Sequence, residues 1–394
     1  MDRTTANQGR AAARDLMSVL AAVLPTAVQT QLLRACIFEG EDAQMAWHQW
    51  CTAVGDPKAA FANQWRSCRL LLPLLQRRRC DGSANIQSYL RGAALYEEQR
   101  YETYRSACAE ALSALHAAGI SFIVSKGAAL AETAYPTPTA RHSHDVDVLV
   151  DKADLPKAVD CLVAAGFRRL SGAPNDPLHR SVAHVCGLPV LLHRSLYSVG
   201  YYGLEFSDLA ARSKARLLSG VPAQVLASSD QLVHILGQAF CSSPRTHLLW
   251  ACDAMFLLQQ SPDLSWPGFV DSVARSHLAL PVVILLRYLV DELKAPVPAG
   301  VPTQLLALVT DSSSELDCEL ALHLARRAVG LRALLRQSSA PRGWMVHRMA
   351  LPSSAYAAAV GKRNEQPLLL WYVRRALGYL WHRMVVDRRT RVAA

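Results

Sequence analysis

The feature that most constrains the fold of this chain is a change in apolar spacing near residue 120. Over residues 11–110 the apolar side chains recur three and four positions apart, which is typical of successive amphipathic helices. From Ile120 the chain reads ISFIVSKG, a short β-branched run closed by a glycine, which indicates a buried strand. The segment HDVDVLV then alternates, with Val146, Val148 and Val150 on one face and Asp145, Asp147 and Leu149 on the other, as a strand with two different faces does. The chain must therefore set strands between long helical stretches.

The spacing between residues 111 and 200 predicts an alternation of strands and helices. GAALAETAY and LPKAVDCLVAAGF have helical spacing, and AHVCGLPVLLHRSL is typical of a two-stranded hairpin around residues 187–189. Helical spacing returns after Phe206 and includes a final helix over 368–385, while 337–365 is predicted to hold a mobile loop. We predict an α+β chain with an N-terminal helical region (1–110), a small mixed-sheet core (111–204) and a C-terminal helical region (205–394).

The composition is that of a globular protein. The chain has 394 residues, of which 51% are hydrophobic and 19% charged, unlike disordered segments. The net charge of +10 reflects either a compositional bias, which we favour, or attraction to anions. The ten cysteines form no CxxC pair and indicate reduced thiols. With no secretory signal and no apolar window of about 18 residues, we expect a cytoplasmic protein without a membrane-spanning segment.

Two carboxylates carry the chemistry that the sequence suggests. Asp145 and Asp147 lie one residue apart on the predicted strand, so both point to the same side and can converge on one cation. Mg²⁺ or Mn²⁺ prefers oxygen ligands and leaves positions for nucleotide phosphates; the alternative is a solvated strand face. Upstream, Lys126 and Gly127 end a strand where a phosphate could approach backbone N–H groups. Arg141 is a candidate clamp for a phosphate or carboxylate.

These blocks carry a family resemblance. The pattern I-x-F-x-V-x-KG-A-A-L, followed by Tyr135, Arg141 and DVDVLV, resembles the uncharacterised bacterial nucleotidyltransferase family of the polymerase-beta-type superfamily. Further blocks follow in the family's order: LLPLLQRR at 71–78, GF at 166–167, LLHRSL at 191–196, DQLVHIL at 230–236 and LLWACDAMFLL at 248–258.

The resemblance implies a mixed-sheet nucleotidyltransferase core and a divalent metal held by Asp145 and Asp147. It places Lys126 and Gly127 on the nucleotide side. The implied reaction transfers a nucleoside monophosphate from a nucleoside triphosphate to a hydroxyl or similar acceptor on a small molecule or peptide.

One position departs from the family's pattern. Many members of the superfamily have a third acid before a Leu-His pair, and Leu191 stands there in this chain. His193 is then a candidate catalytic base near neutral pH, although a structural role is the favoured alternative. The departure supports a second hypothesis, a degenerate, non-catalytic nucleotide-binding or scaffold protein. RNA-directed nucleotide addition is a third idea, motivated by net charge alone, since no RNA-binding motif is present.

Several other titratable residues have a structural interpretation that we favour. His234 lies on an apolar helix face, so we expect a core histidine whose hydrogen bonds are satisfied. Asp253 interrupts an apolar helix, and we expect a buried pair with an arginine such as Arg245 rather than catalysis. His142 and His144 flank the acidic strand, and we expect solvated loop histidines rather than metal ligands.

Overall fold

The computed structural model describes residues 16–64, 66–78, 83–170, 179–197, 199–312, 314–337, 347, 349 and 351–360. The final helix predicted over 368–385 lies outside these residues. The stretch 337–365, predicted to hold a mobile loop, lies mostly outside them as well, and its described part includes a short helix, Ser354–Ala359.

Helices make up most of the described chain. They are α1 (Ala27–Ile37), α2 (Gly40–Val54), α3 (Leu72–Arg77), α4 (Ala84–Ala117), α5 (Lys126–Thr133), α6 (Leu155–Ala164), α7 (Phe206–Arg212), α8 (Ser228–Ser242), α9 (Leu249–Gln260), α10 (Trp266–Arg275), α11 (Ala279–Leu293), α12 (Gly300–Ser312), α13 (Glu315–Val329), α14 (Leu331–Gln337) and α15 (Ser354–Ala359). Shorter helical turns cover Ala21–Val23, Pro57–Ala59, Ala60–Gln64, Arg66–Leu71 and Pro138–Ala140.

Seven strands of the described residues form one mixed sheet. They are β1 (Phe122–Ser125), β2 (Val146–Val150), β3 (Arg168–Arg169), β4 (His179–Ala183), β5 (Pro189–His193), β6 (Lys214–Leu218) and β7 (Val221–Val225). Their order across the sheet is β3-β4-β5-β2-β1-β7-β6. Strand β2 runs antiparallel to β1 and parallel to β5, and β1 runs parallel to β7. This mixed sheet among helices confirms the predicted α+β class.

The two faces of the sheet belong to two different cores, as the alternation of HDVDVLV predicted. Val146, Val148 and Val150 pack with residues of α4 and α6 in one apolar cluster. Leu149, on the opposite face of β2, packs in a larger cluster with Ile123 of β1 and the C-terminal helices. The face that carries Asp147 is therefore the face that the C-terminal helices cover.

The predicted limits of the core need correction at both ends. The hairpin β6–β7 continues the sheet to Val225, so a boundary at 204 falls inside it. The first four residues of β6 are exposed, so this strand lacks the apolar alternation that marks a half-buried strand. In β7 the apolar Val221, Ala223 and Val225 alternate with exposed residues, but Pro222 lies within the strand, where a proline is unusual. At the other end, α4 continues without a break across the boundary at 110 and ends before Gly119, whose φ is +63°.

Two expectations about the environment of the chain concern membrane spans and thiols. No single helix among the described residues is long and apolar enough to cross a bilayer. The segments Leu16–Val23 and Ala27–Ile37 meet such a criterion only as a pair, bent by 65°. The nine cysteines within the described ranges are free thiols.

Candidate functional site

The turn from β1 into α5 brings a lysine over the start of β2. Ser125, the last residue of β1, pairs with Asp147 of β2. Lys126 follows with φ +54°, a left-handed conformation that is uncommon for residues other than glycine. This conformation reverses the chain between strand and helix. The Nζ atom of Lys126 lies 2.7 Å from Oδ1 of Asp147 as a result.

Asp147 is a buried carboxylate with two partners on one oxygen. Asp147 is 2% exposed. Its Oδ1, which lies 2.7 Å from Nζ of Lys126, also lies 2.6 Å from Nε2 of His193. Burial opposes ionisation of Asp147, but the hydrogen bond to His193 and the charge of Lys126 outweigh it and hold the pKa well below its usual range. Within the described residues, Oδ2 accepts no hydrogen bond. Asp147 is therefore an ionised carboxylate with one uncommitted oxygen.

Asp145 lies directly before β2, and its side chain is 20% exposed. Nε2 of His144 is 3.5 Å from its Oδ2. Burial and then the negative charge of Asp147 raise the pKa of Asp145, so ionising both carboxylates together is costly without a further positive charge. Across the described ranges, no group of three or more His, Cys, Asp or Glu side chains is arranged to hold a metal ion. A cation here would take oxygens from Asp145 and Asp147 and complete its shell with ligand or water.

The pairing of β2 with β5 decides what stands beside Asp147. In this parallel pair Asp147 is opposite Leu191, and Leu149 is opposite His193. Residues opposite each other in neighbouring strands point to the same face. The partly exposed Leu191 side chain therefore stands on the site face next to Asp147, at the position where the family resemblance predicted an acid.

The Arg141 guanidinium forms an ion pair with the carboxylate of Asp253. Its Nε and Nη2 lie 3.1 and 2.8 Å from the two oxygens of Asp253, which also accepts a hydrogen bond of 2.6 Å from the Tyr135 hydroxyl. The predicted buried pair of Asp253 with an arginine is thus confirmed, but its partner is Arg141. Arg245 instead donates to the backbone oxygen of Leu24. In this geometry two nitrogens of the Arg141 guanidinium are engaged by Asp253, and the role of Arg141 as a clamp for a phosphate stays a prediction.

Gly127 has a packing role. A Cβ atom added there would lie 2.4 Å from Nη1 of Arg141 and 2.6 Å from Oγ of Ser143. These two side chains fill the space over its Cα atom on the side where a Cβ atom would stand, and the approach of a phosphate to backbone N–H groups at this turn stays a prediction. The glycine is required because the segment that leads to Asp145 packs directly onto the first turn of α5.

The segment before Asp145 is also held by α4. Glu97 is 4% exposed, and its Oε2 lies 2.9 Å from Nδ1 of His142. Arg100 hydrogen-bonds both to Glu97 and to the backbone oxygen of Ser143. The expectation of a solvated loop histidine was therefore wrong for His142. It is confirmed for His144, whose side chain is 69% exposed.

The sequence offered little warning of this contact with α4. Glu97 and Arg100 have the i, i+3 spacing of a helical ion pair, which is a common surface pattern. Nothing in YEEQR distinguishes Glu97 from the exposed Glu98 beside it. Only the position of the 141–144 segment over one face of α4 makes Glu97 part of the support for the site.

The comparisons with known proteins bear on this arrangement. A family model described as uncharacterised nucleotidyltransferase matches residues 59–293, more than half of the 394-residue chain. The chain belongs to this family. The match includes Lys126, Asp145, Asp147, Leu191 and His193, so it confirms the resemblance and supports nucleotidyl transfer in general terms. No curated protein and no solved structure matches the chain.

Proposed function

We propose that this protein is a metal-dependent nucleotidyltransferase that transfers a nucleoside monophosphate from a nucleoside triphosphate to a hydroxyl acceptor. Asp145 and Asp147 are the proposed metal ligands. The observation that carries the proposal is the position of these two carboxylates: Asp145 stands directly before β2 and the buried Asp147 is its second residue, inside the segment that matches the family. The family supports the general reaction class, and the metal, the donor and the acceptor are our inference.

The donor groups fit a hard divalent cation. Oδ2 of Asp147 is uncommitted, and burial together with the charge of Asp147 makes an ionised Asp145 costly unless a cation is present. Magnesium or manganese would neutralise charge on the triphosphate when bound. Lys126 and His193 keep Asp147 ionised for this task. The Lys126 side chain is 28% exposed, so its ammonium group can also approach an anionic ligand.

A second candidate function rests on Leu191. Its apolar side chain beside Asp147 leaves the position of the expected third acid without a carboxylate. His193 is the proposed base, but its Nε2 shares a hydrogen bond with Oδ1 of Asp147. This contact supports a role for His193 in orienting the Asp147 carboxylate instead. A nucleotide-binding protein without turnover would need the metal pair and would not need a base. The same geometry therefore also supports binding without catalysis.

Nucleotide binding is the first test. Isothermal titration calorimetry with α,β-methylene analogues of the four nucleoside triphosphates should show binding only with Mg²⁺ or Mn²⁺. Changing Asp145→Ala and Asp147→Ala together should abolish it. The matched control is Asp154→Ala with Asp160→Ala, which removes the same charge from the neighbouring helix. Equal binding by the 145/147 variant and wild type would refute the proposed metal site.

Pyrophosphate release separates the two candidate functions. An active transferase should release pyrophosphate from a nucleoside triphosphate, with water or a supplied alcohol as acceptor, faster than the 145/147 variant. Binding without release by wild type would favour the non-catalytic function. In that case Leu191→Asp, which restores a carboxylate beside Asp147, is expected to give measurable release if the missing acid is the cause.

A further inference from the structure

His234 is a buried histidine that has no hydrogen-bond partner among the described residues. It lies on α8 and is 1% exposed, and neither ring nitrogen is hydrogen-bonded within the part of the chain that the structure describes. The sequence predicted a core histidine with satisfied hydrogen bonds, and that prediction was wrong. Buried polar atoms in native proteins nearly always have a partner, so two such atoms on one side chain require an explanation.

The surroundings of His234 connect it to the Asp147 face of the sheet. Its ring centroid is 5.5 Å from that of Tyr197, which follows β5 and donates a hydrogen bond to the backbone oxygen of Val233. Burial lowers the pKa of His234 to about 3, and the charges that act on it next are those of Lys126, Asp147 and His193. The imidazole is thus neutral. Its helix, α8, follows β7, which runs parallel to β1, so α8 starts at the same edge of the sheet as the Lys126 turn.

A neutral imidazole has one N–H donor and one acceptor nitrogen. An apolar ring would fill the same position without leaving either atom unpaired, so the polar ring needs a partner that the described residues do not supply. The turn at Lys126 starts at the same edge of the sheet as α8, and the ammonium group of Lys126 attracts anions. An anionic oxygen suits both groups at once, since it accepts from the N–H and is attracted by the ammonium.

We propose that His234 is a ligand-binding residue of the Asp145/Asp147 site and that its ring N–H donates a hydrogen bond to a phosphate oxygen of the bound nucleotide. The inference rests on the proposed function. The proposed contact makes α8, which belongs to the C-terminal helical region, one side of the triphosphate site. The observation that supports this contact is that neither ring nitrogen of His234 has a hydrogen-bond partner among the described residues.

The test compares stability with affinity. His234→Phe removes both nitrogens and keeps a flat ring, whereas His234→Gln keeps a donor and an acceptor. The control is Tyr202→Phe, because Tyr202 has another buried hydroxyl without a partner in the same core. Ligand-free melting temperatures and Mg²⁺-dependent affinities are measured for all variants. The two ligands are an α,β-methylene nucleoside triphosphate and inorganic tripolyphosphate.

The expected result separates the two readouts. His234→Phe should keep the ligand-free melting temperature within about 2 °C of wild type and weaken both ligands by about tenfold, the effect of one hydrogen bond to a charged group. His234→Gln should recover most of the affinity, and Tyr202→Phe should leave it unchanged.

Each other outcome overturns the inference in a distinct way. A clear fall in melting temperature for His234→Phe would show that the ring is needed by the fold. Unchanged affinity would show that it touches no ligand. A loss confined to the nucleotide analogue, with tripolyphosphate unaffected, would place the contact on the nucleoside. Absence of Mg²⁺-dependent binding by wild type would refute the proposed function itself.

Discussion

Replacing Gly127 with alanine tests the packing that holds the site together. The new Cβ atom would meet Nη1 of Arg141 at 2.4 Å and Oγ of Ser143 at 2.6 Å, both far inside normal contact distance. The end of an arginine side chain can usually move aside. Here the guanidinium is held by two hydrogen bonds to the buried Asp253, so displacement weakens that pair.

The expected loss in the free energy of unfolding is the sum of these two effects. Inserting a methyl group into a filled space costs about 1–3 kcal/mol, and a weakened charged hydrogen bond adds about 1 kcal/mol. Gly127→Ala should therefore lower the free energy of unfolding by about 2–4 kcal/mol. The matched control is Gly92→Ala in the interior of α4, where a Cβ atom meets nothing within 4 Å. That change should stabilise the protein by about 0.5–1 kcal/mol.

Urea unfolding followed by circular dichroism measures both variants. The source of the cost is isolated by repeating Gly127→Ala in a Ser143→Ala background, which removes one of the two close contacts. The penalty should then fall by at least about 0.5 kcal/mol, since residues in contact do not behave additively. A Gly127→Ala protein as stable as wild type would refute the argument that this glycine is required by packing.

Two further predictions concern ion pairs around the site. Asp253→Ala leaves the buried Arg141 guanidinium without its carboxylate partner and should cost about 3–5 kcal/mol in urea unfolding, whereas Glu292→Ala, which removes an exposed ion pair, should cost under about 1 kcal/mol; similar losses would contradict the difference in burial. Burial opposes ionisation of Glu97, but its hydrogen bonds to His142 and Arg100 outweigh burial and lower the pKa of Glu97. Stability from ionised Glu97 is therefore complete above about pH 5 and lost as pH falls below about 4.3 through the folded pKa. The gap in urea midpoint between wild type and Glu97→Gln should shrink from pH 7 to pH 4, and a gap that widened would refute the sign.

Much of the sheet could be predicted because its central strands carry local signals. The alternation in HDVDVLV placed Leu149 and the valines on opposite faces of the strand, and in the structure these faces pack in different cores. The hairpin β6–β7 escaped prediction because most of β6 is exposed, and an exposed strand has no apolar period. Burial produces the pattern that sequence analysis detects, so elements with little burial are the ones missed.

For the candidate site, too, the sequence predicted some features and missed others. The sequence identified Asp145, Asp147, Lys126 and His193 as polar residues in an otherwise apolar sheet, and the structure brings the last three into direct contact. It could not show that the space over Gly127 is filled. That outcome depends on a side chain held by a residue 112 positions away in the chain.

The sequence by itself determined the strand that carries the acidic pair, the apolar Leu191 near it and the helices on either side, because all of these follow from the order and spacing of neighbouring residues. Tertiary structure alone decided which charges meet. Arg141 pairs with Asp253, His142 pairs with Glu97, and His234 has no hydrogen-bond partner in the part of the chain that the structure describes. Ion pairs form between groups that packing brings together from distant segments, and local spacing contains no information about that choice.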